Sequence, residues 1–259
     1  MDSSDSPTYV ELGGEGATGR LIKLRITREG VSLPVSEFFK ILQGHSLSPF
    51  AFRSEKHLTA NNYRVCFTDG ACLDNGQSDS RAGIGGTLGS EAHQWAIPID
   101  HSIDPGGKRS SQRAELLAAI EGLRRLSIEG LRRLSEHGVT PRPHPGQGGN
   151  PDSCWIIATD SEYVCNGITE WVYTWKVREP SSLVNNDFKY APYLIQENNW
   201  LTRSGTKPSN LDLFLRLHDD ILSYERDQNI RIGFLKVDRT DNQIADGLAK
   251  KAANLARQV

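Results

Sequence analysis

The chain has 259 residues, enough to bury one full-sized core or a core with appendages. Its 30 basic and 32 acidic side chains nearly cancel, and a pI of 6.4 speaks against tight, purely electrostatic binding of a polyanion while leaving room for a local basic groove. No apolar run reaches the length of a membrane span, and Met1-Asp2-Ser3-Ser4-Asp5 lacks the basic-then-apolar layout of a secretory signal.

Residues 1–60 form a flank whose role the sequence does not define. It holds one strand-like run, Leu21 to Thr27, and one short amphipathic helical pattern, Val35 to Leu42. From about residue 62 the pattern alternates as an α/β domain does, and residues 61–259 are read as that domain. Tyr63 to Asp69 is a strand, and Ala82 to Leu88 and Gln94 to Ile99 complete an antiparallel meander. A helix starts near Ser111. Trp155 to Thr159 is a fourth strand, Ser161 to Trp175 is helical in two pieces, and Leu211 to Tyr224 is a further helix. Ile230 to Val237 gives a fifth strand and Asp241 to Arg257 a last helix.

Two insertions interrupt this plan, at about 128–153 and 177–199. The first begins inside a tandem copy, since Ile120–Ser127 and Ile128–Ser135 both read IEGLRRLS. Eight residues advance the apolar stripe about 80° past two whole turns, so the lengthened helix keeps its buried face only in part. A Pro- and Gly-rich stretch, residues 141–151, then reads as a loop. The cysteines Cys66, Cys72, Cys154 and Cys165 show no metal-ligand spacing, which implies reduced thiols and an intracellular protein, cytoplasmic or nuclear.

Two apolar runs end alike, Cys66-Phe67-Thr68-Asp69-Gly70 and Ile156-Ile157-Ala158-Thr159-Asp160-Ser161. Each delivers one carboxylate to the C-terminal end of a strand. Glu115 stands at the head of the first long helix and Asp246 in the last one. Singly, each has a plain reading: a turn at Asp69-Gly70, a helix cap at Asp160, solvated helix charges at Glu115 and Asp246. Jointly they suggest a cluster whose repulsion a pair of hard divalent cations would relieve, which points to metal-assisted phosphodiester chemistry.

The neighbours of these four residues carry a family likeness. Thr68-Asp69-Gly70-Ala71-Cys72, Gln112-Arg113-Ala114-Glu115-Leu116, Thr159-Asp160-Ser161-Glu162-Tyr163-Val164 and Ala245-Asp246-Gly247-Leu248-Ala249 closely resemble the four active-site blocks of type 1 ribonuclease H. The resemblance implies a ribonuclease H-like α/β fold, a five-stranded mixed sheet with helices on both faces. It implies an endoribonuclease that cuts the RNA strand of RNA–DNA hybrids, leaving 5′-phosphate and 3′-hydroxyl ends. Asp69, Glu115, Asp160 and Asp246 would be both catalytic residues and metal ligands, holding two Mg²⁺ ions, with Mn²⁺ as a substitute. Asp69 would bridge the two ions.

The same resemblance places Cys72, Asn75, Gln112 and Glu162 along the minor groove, where the 2′-hydroxyl marks RNA. Ordinary turn and surface chemistry accounts for these four equally well. Trp171, Trp200, Arg203 and Lys207 would face the substrate further out, although Trp171 and Trp175 also fit a core stripe with Val164 and Ile168. The stretch around Arg203 and Lys207 is poor in lysine for the family's basic handle, which predicts salt-sensitive binding.

The loop before the last helix, Lys236-Val237-Asp238-Arg239-Thr240-Asp241-Asn242, has no histidine, and no histidine lies beyond His218. It resembles the histidine-free branch of the family, with Asp238 where that branch usually has proline. Weaker acid–base help implies slower turnover. A module that keeps the fold and binds nucleic acid with weakened or lost catalysis is the alternative. Strand-transfer enzymes share such folds but not this block wording, and the start at Met1 without polymerase sequence speaks against a reverse-transcriptase fragment. The expected partner is an RNA–DNA hybrid, with no membrane, and the expected state is a monomer.

Overall fold

The computed structural model describes residues 8–15, 19–28, 31–33, 53–54, 57–58, 63–89, 91–137, 154–178, 196–197, 199–228 and 230–256. The strands are β1 (Thr8–Glu15), β2 (Leu21–Arg28), β3 (Val31–Leu33), β4 (Arg53–Ser54), β5 (His57–Leu58), β6 (Tyr63–Leu73), β7 (Arg81–Thr87), β8 (Gln94–Pro98), β9 (Cys154–Thr159), β10 (Val177–Arg178), β11 (Gln196–Glu197) and β12 (Arg231–Lys236). The helices are α1 (Ser111–His137), α2 (Glu162–Asn166), α3 (Val172–Lys176), α4 (Leu211–Gln228) and α5 (Gln243–Leu255). A π-helical turn, Gly167–Trp171, joins α2 to α3, so the expected two-piece helix is one rod with a widened turn in it. Among the described residues no helix is long and apolar enough to cross a membrane.

The main sheet runs β1-β2-β12-β9-β6-β7-β8, with β3 beside β2. Its five expected strands are there: β6, β7 and β8 form the antiparallel meander, while β9 runs parallel to both β6 and β12. The sheet is mixed, as expected, but three strands wider. The flank supplies the extra ones. Phe234 N–H of β12 donates to the Arg20 carbonyl at 2.8 Å, and Ile22 fills the space that the missing side chain of Gly233 leaves open. Arg20 also pairs with Glu225 of α4 and donates to the Ile232 carbonyl at 3.1 Å. An otherwise open edge of β12 is thereby covered. The helical pattern at Val35 to Leu42 and the loop at 141–151 lie outside the described residues.

β6 is longer than the run ending at Asp69. Its ladder with β7 continues from Gly70 opposite Ile84 to Leu73 opposite Arg81, and the turn comes only at Asp74–Gly76. The turn reading of Asp69-Gly70 therefore fails, because the peptide there is held in a strand pair.

The same register assigns the sheet's faces. Gly70 and Ile84 point to one side, Asp69 and Gly85 to the other. α1 covers the first side, where small residues at helical spacing, Ala114, Ala118 and Gly122, let it lie close to β6. α5 covers the second. There Gly83 and Gly85 leave no room for β-carbons against Ala249, Ala252 and Ala253, so the helix backbone rests almost on the strand. This explains why β7 reads AGIGG. A second layer over α1 joins Phe214, Leu217 and Ile221 of α4 to Val164, Ile168, Val172 and Trp175 in one apolar core.

The tandem copy behaves as its 80° advance requires. Ile120 is buried and its counterpart Ile128 is 50% exposed, whereas Glu129 turns inward at 7%. Glu121 in the first copy instead ion-pairs with Arg124 and Arg125 at 2.6 and 2.8 Å.

Candidate active site

Each of the four carboxylates reaches the C-terminal end of the central strands by a different route. Asp69 is carried by β6 and is buried. Phe67 pairs with Ala158 on parallel β9, and continuing that register by two residues sets Asp160 beside Asp69. Glu115 descends from the second turn of α1, and its approach depends on Gly70. A β-carbon there would lie 2.3 Å from the Glu115 backbone nitrogen. Asp246 arrives on the first turn of α5, held to the sheet by the glycines of β7.

The electrostatics record their proximity. Burial, then the charges of Asp160 and Asp246, push the Asp69 carboxyl up to about 7. Burial also lifts Glu115 well above the usual carboxylate range, with Asp69 and Asp160 adding to it. The Gly70 N–H donates to both carboxyl groups and offsets part of this. Asp69 thus feels all three of the others. Glu115 Oε2 is buried with no hydrogen-bond partner, which is costly unless something else meets it. Among the described residues, no three acidic, cysteine or histidine side chains stand close enough to form a ready-made metal cage. The gathering is one of neighbouring charges, not of preassembled ligands.

Asp160 does not cap the following helix. Ser161 Oγ takes that role, accepting from Val164 N–H at 3.3 Å. The freed Asp160 Oδ1 accepts from Asn242 Nδ2 at 2.7 Å, and the same amide donates to the Thr68 carbonyl at 3.0 Å. Asn242 is fully buried and ties the end of β9, the middle of β6 and the start of α5 together. Nor is Asp246 a solvated helix charge. Arg239 Nη2 lies 3.2 Å from Oδ1 and Lys250 Nζ 2.7 Å from Oδ2. Sequence reading gave no role to Asn242, Arg239 or Lys250. The signal for the first was its spacing, four residues before Asp246, which puts both near one helix N-terminus.

The remaining candidates fall into two groups. Cys72, Asn75 and Gln112 surround the start of α1, where Asn75 Oδ1 accepts from Ser111 N–H at 3.4 Å. Glu162, exposed on the first turn of α2, shares the vicinity of Cys165 with Glu115, Asp160 and Lys236. Trp171 is half-buried, its ring 5.8 Å from Tyr163 and 6.1 Å from Trp175, so most of its surface serves packing. Trp200 lies edge-on to His218 and is likewise half-buried. Arg203 and Lys207 are exposed on a separate loop closed by the Thr202–Thr206 hydrogen bond. That loop is moored to α2, since Tyr163 Oη donates to the Ser209 carbonyl and accepts from Asn210, both at 3.1 Å.

A mixed sheet that collects acidic side chains at the C-terminal ends of its central parallel strands, with a helix on either face adding more, is the build of a phosphoryl-transfer nuclease. The family model for RNase H matches residues 61–254. Ribonuclease H of Haemophilus influenzae is 28% identical over 188 residues, covering 72% of this chain and 87% of that protein. Ribonuclease H1 of Rattus norvegicus is 26% identical over 193 residues, covering 73% of this chain and 50% of that one. Among solved structures, RNase H1 of Halobacterium salinarum aligns over 75% of this chain and 99% of its own at 16% identity and a TM-score of 0.40. LC11-RNase H1 in complex with RNA/DNA hybrid aligns over 74% and 97% at 17% identity and a TM-score of 0.43. The chain belongs to the ribonuclease H family, whose members generally depend on divalent metal ions.

Proposed function

We propose that the chain is an endoribonuclease that hydrolyses the RNA strand of RNA–DNA hybrids, with Asp69, Glu115, Asp160 and Asp246 as its catalytic carboxylates. The observation that carries this is the convergence of the four at one end of the sheet, Asp69 and Asp160 on paired strands, Glu115 set over Gly70 and Asp246 on the helix packed against Gly85, with their charges acting on one another. Membership of the family and its ribonuclease H relatives supply the substrate class.

The donor set fits two Mg²⁺ ions, or Mn²⁺ in their place. It is all oxygen, as hard cations require. One of its atoms, Glu115 Oε2, is buried without a partner, and Asp69 keeps its proton to an unusually high pH. When bound, the ions supply an activated water and stabilise charge on the departing 3′ oxygen. Asp69, Glu115, Asp160 and Asp246 would hold the ions, with Asp69 central to the four. Asn242 fixes Asp160 in orientation, and Gly70 both admits Glu115 and donates to it. Attack of water on the phosphorus with departure of the 3′ oxygen would leave 5′-phosphate and 3′-hydroxyl ends.

The histidine-free loop supports the reading that this chain falls in the branch of the family that lacks that residue. Between Val237 and Asn242 its one cation is Arg239, which holds its proton and does not act as an acid or base at neutral pH. With all four carboxylates on one chain, a monomer would suffice for the site. The buried free thiols Cys66 and Cys165 support an intracellular setting.

The test is cleavage of a labelled RNA–DNA hybrid in Mg²⁺ and Mn²⁺, beside duplex DNA and duplex RNA, for wild type and Asp69→Asn. Hybrid-specific cutting that vanishes in the variant is expected. Binding without cutting in either metal would turn the assignment to the alternative, a hybrid-binding module, which the missing loop histidine favours.

A further inference from the structure

β2 runs parallel to β12, and one register pair, Leu21 with Phe234, fixes how far it travels. Seven residues of β2 follow Leu21, whereas two of β12 follow Phe234. β2 therefore outruns β12 by five residues, about 16 Å, at the end of the sheet where the carboxylates gather. Lys236 is paired with Thr159 of β9, so the same registers set Leu24 level with Asp160, two strands or about 10 Å away. Arg25 and Arg28 stand further out. There the strand has neighbours of its own, since β1 pairs with all of it and β3 with Ile26 to Arg28. The flank is thus a three-stranded ribbon that projects past the sheet beside the site.

The base of the ribbon is fastened by side chains. Arg20 donates to Glu225 Oε2 at 2.7 Å, Glu225 Oε1 accepts from the Ile232 N–H at 2.9 Å, and Ile22 is buried over Gly233. These contacts fix the direction in which the ribbon leaves the sheet. Its charge is unevenly matched. In the β1–β2 register Arg25 stands opposite Glu11, whereas Lys23 stands opposite Gly13 and Arg28 opposite Thr8. Residues 199–210, by comparison, bring two cations, Arg203 and Lys207.

We propose that the β1–β2–β3 ribbon is a further nucleic-acid contact, in which Lys23, Arg25 and Arg28 meet phosphates of the hybrid outside the segment held at the carboxylates. The inference rests on the ribonuclease reading above and adds to it a surface that the four active-site blocks do not contain. A duplex seated at the carboxylates is wider than the two-strand spacing between Asp160 and β2, so its backbone comes within reach of the ribbon. Cations there neutralise phosphates and release counterions, which adds affinity without reading sequence. They also offset the repulsion that four carboxylates exert on the same backbone. The near-neutral total of the chain is no obstacle, because the charge that acts is local.

The affinity of the full chain for a labelled RNA–DNA hybrid is measured in Ca²⁺ by fluorescence anisotropy, over a range of salt concentrations. Lys23→Gln, Arg25→Gln and Arg28→Gln together should weaken binding about ten-fold and make the salt slope shallower by roughly two. Lys23→Arg, Arg25→Lys and Arg28→Lys together keep the charge and should retain most of the wild-type affinity and slope. Arg226 is 74% exposed at the opposite end of the sheet, just before β12 begins, and Arg226→Gln should leave both values unchanged. Benzophenone introduced at Thr27 should cross-link to the hybrid under light. A glutamine variant with wild-type affinity and slope, an equal loss in the charge-keeping variant, an effect of Arg226→Gln as large per charge, or no cross-link from Thr27 overturns the proposal. Failure of the ribonuclease reading is distinct: wild type then leaves hybrids intact in both Mg²⁺ and Mn²⁺, whatever the ribbon does to binding.

Discussion

Gly70 and Glu115 are in contact through their backbones: a β-carbon on Gly70 would stand 2.3 Å from the Glu115 nitrogen and 2.2 Å from the Ala114 carbonyl carbon. Those atoms belong to the second turn of α1 and cannot yield unless the helix moves. Gly70→Ala is therefore expected to push α1 off β6, at a cost of roughly 2–4 kcal/mol. It should also lower kcat by about 10²-fold, since Glu115 is displaced by an ångström or so from its partners. Urea unfolding and single-turnover cleavage check this, and a variant of wild-type stability and rate would contradict it.

The buried carboxylates make the metal-free protein sensitive to pH in a definite direction. Asp69 titrates near 7 in the folded chain against 3.8 when unhindered. Between those values the folded state keeps a proton that the unfolded state has lost, so stability falls as pH rises through the window and levels off above it. Glu115 acts in the same sense. Asp69→Asn removes the charge, and at pH 8 without metal it should raise Tm by about 3–10 °C, from roughly 1–3 kcal/mol. At pH 4 the gain should be close to zero. Melting both proteins in chelator across pH 4–8 is the measurement; equal gains at both ends would refute the charge argument.

Asn242 holds Asp160 through one amide hydrogen and the Thr68 carbonyl through the other. Asn242→Ala leaves the carbonyl and the carboxylate without their donor, a loss of roughly 1–3 kcal/mol. Asn242→Asp should be worse for catalysis, because it adds a fifth negative charge at 2.7 Å from Asp160 Oδ1. The alanine variant is expected to lose about ten-fold in kcat and the aspartate variant about 10²-fold, the latter partly restored at low pH. Rates for both at pH 6 and pH 8 decide the point.

Local pattern was enough to single out the four carboxylates, because each sits where a short buried run ends or a helix begins. The five central strands and the 80° rotation between Ile120 and Ile128 were legible for the same reason. What escaped depends on long-range pairing. β6 continues past Asp69 because β7 is there to bond it, and nothing in Gly70-Ala71-Cys72-Leu73 alone says so. The flank's β2 adds to β12 by contacts some two hundred residues apart in sequence, Arg20 with Glu225 and Ile22 over Gly233. Asn242, Arg239 and Lys250 read as ordinary polar residues until the fold sets each beside its carboxylate.

A further prediction concerns the frame around the site. Arg113, two residues before Glu115, forms bidentate pairs with Asp104 (2.8 and 2.7 Å) and Asp212 (3.0 and 2.6 Å), and Asp104 is only 3% exposed. Arg113→Ala leaves Asp104 buried with Arg109 alone, at 3.3 Å. The expected cost is roughly 3–5 kcal/mol, as for other broken buried pairs. Arg113→Lys should recover only part of it, because an ammonium cannot serve two carboxylates bidentately. Denaturant midpoints for the two variants give the answer, and full rescue by lysine would remove the geometric argument.

The loop between β12 and α5 is expected to set the metal preference. Its one basic residue between Val237 and Asn242 is Arg239, and it carries no histidine. General acid–base help of the kind a histidine gives is commonly worth about 10²–10⁴-fold, and its absence leaves more of the proton transfer to metal-bound water. Mn²⁺ lies higher in the divalent affinity order for such ligands than the alkaline-earth Mg²⁺ and accepts a less strict shell. Hybrid cleavage is therefore expected to run at least as fast in Mn²⁺ as in Mg²⁺, at lower ion concentrations, and to stop on adding chelator. Replacing Thr240 by histidine should narrow the difference between the two metals if the proton deficit is its cause. Initial rates over a range of each ion, for wild type and Thr240→His, test this; faster turnover in Mg²⁺ at every concentration would show that the loop does not limit the reaction.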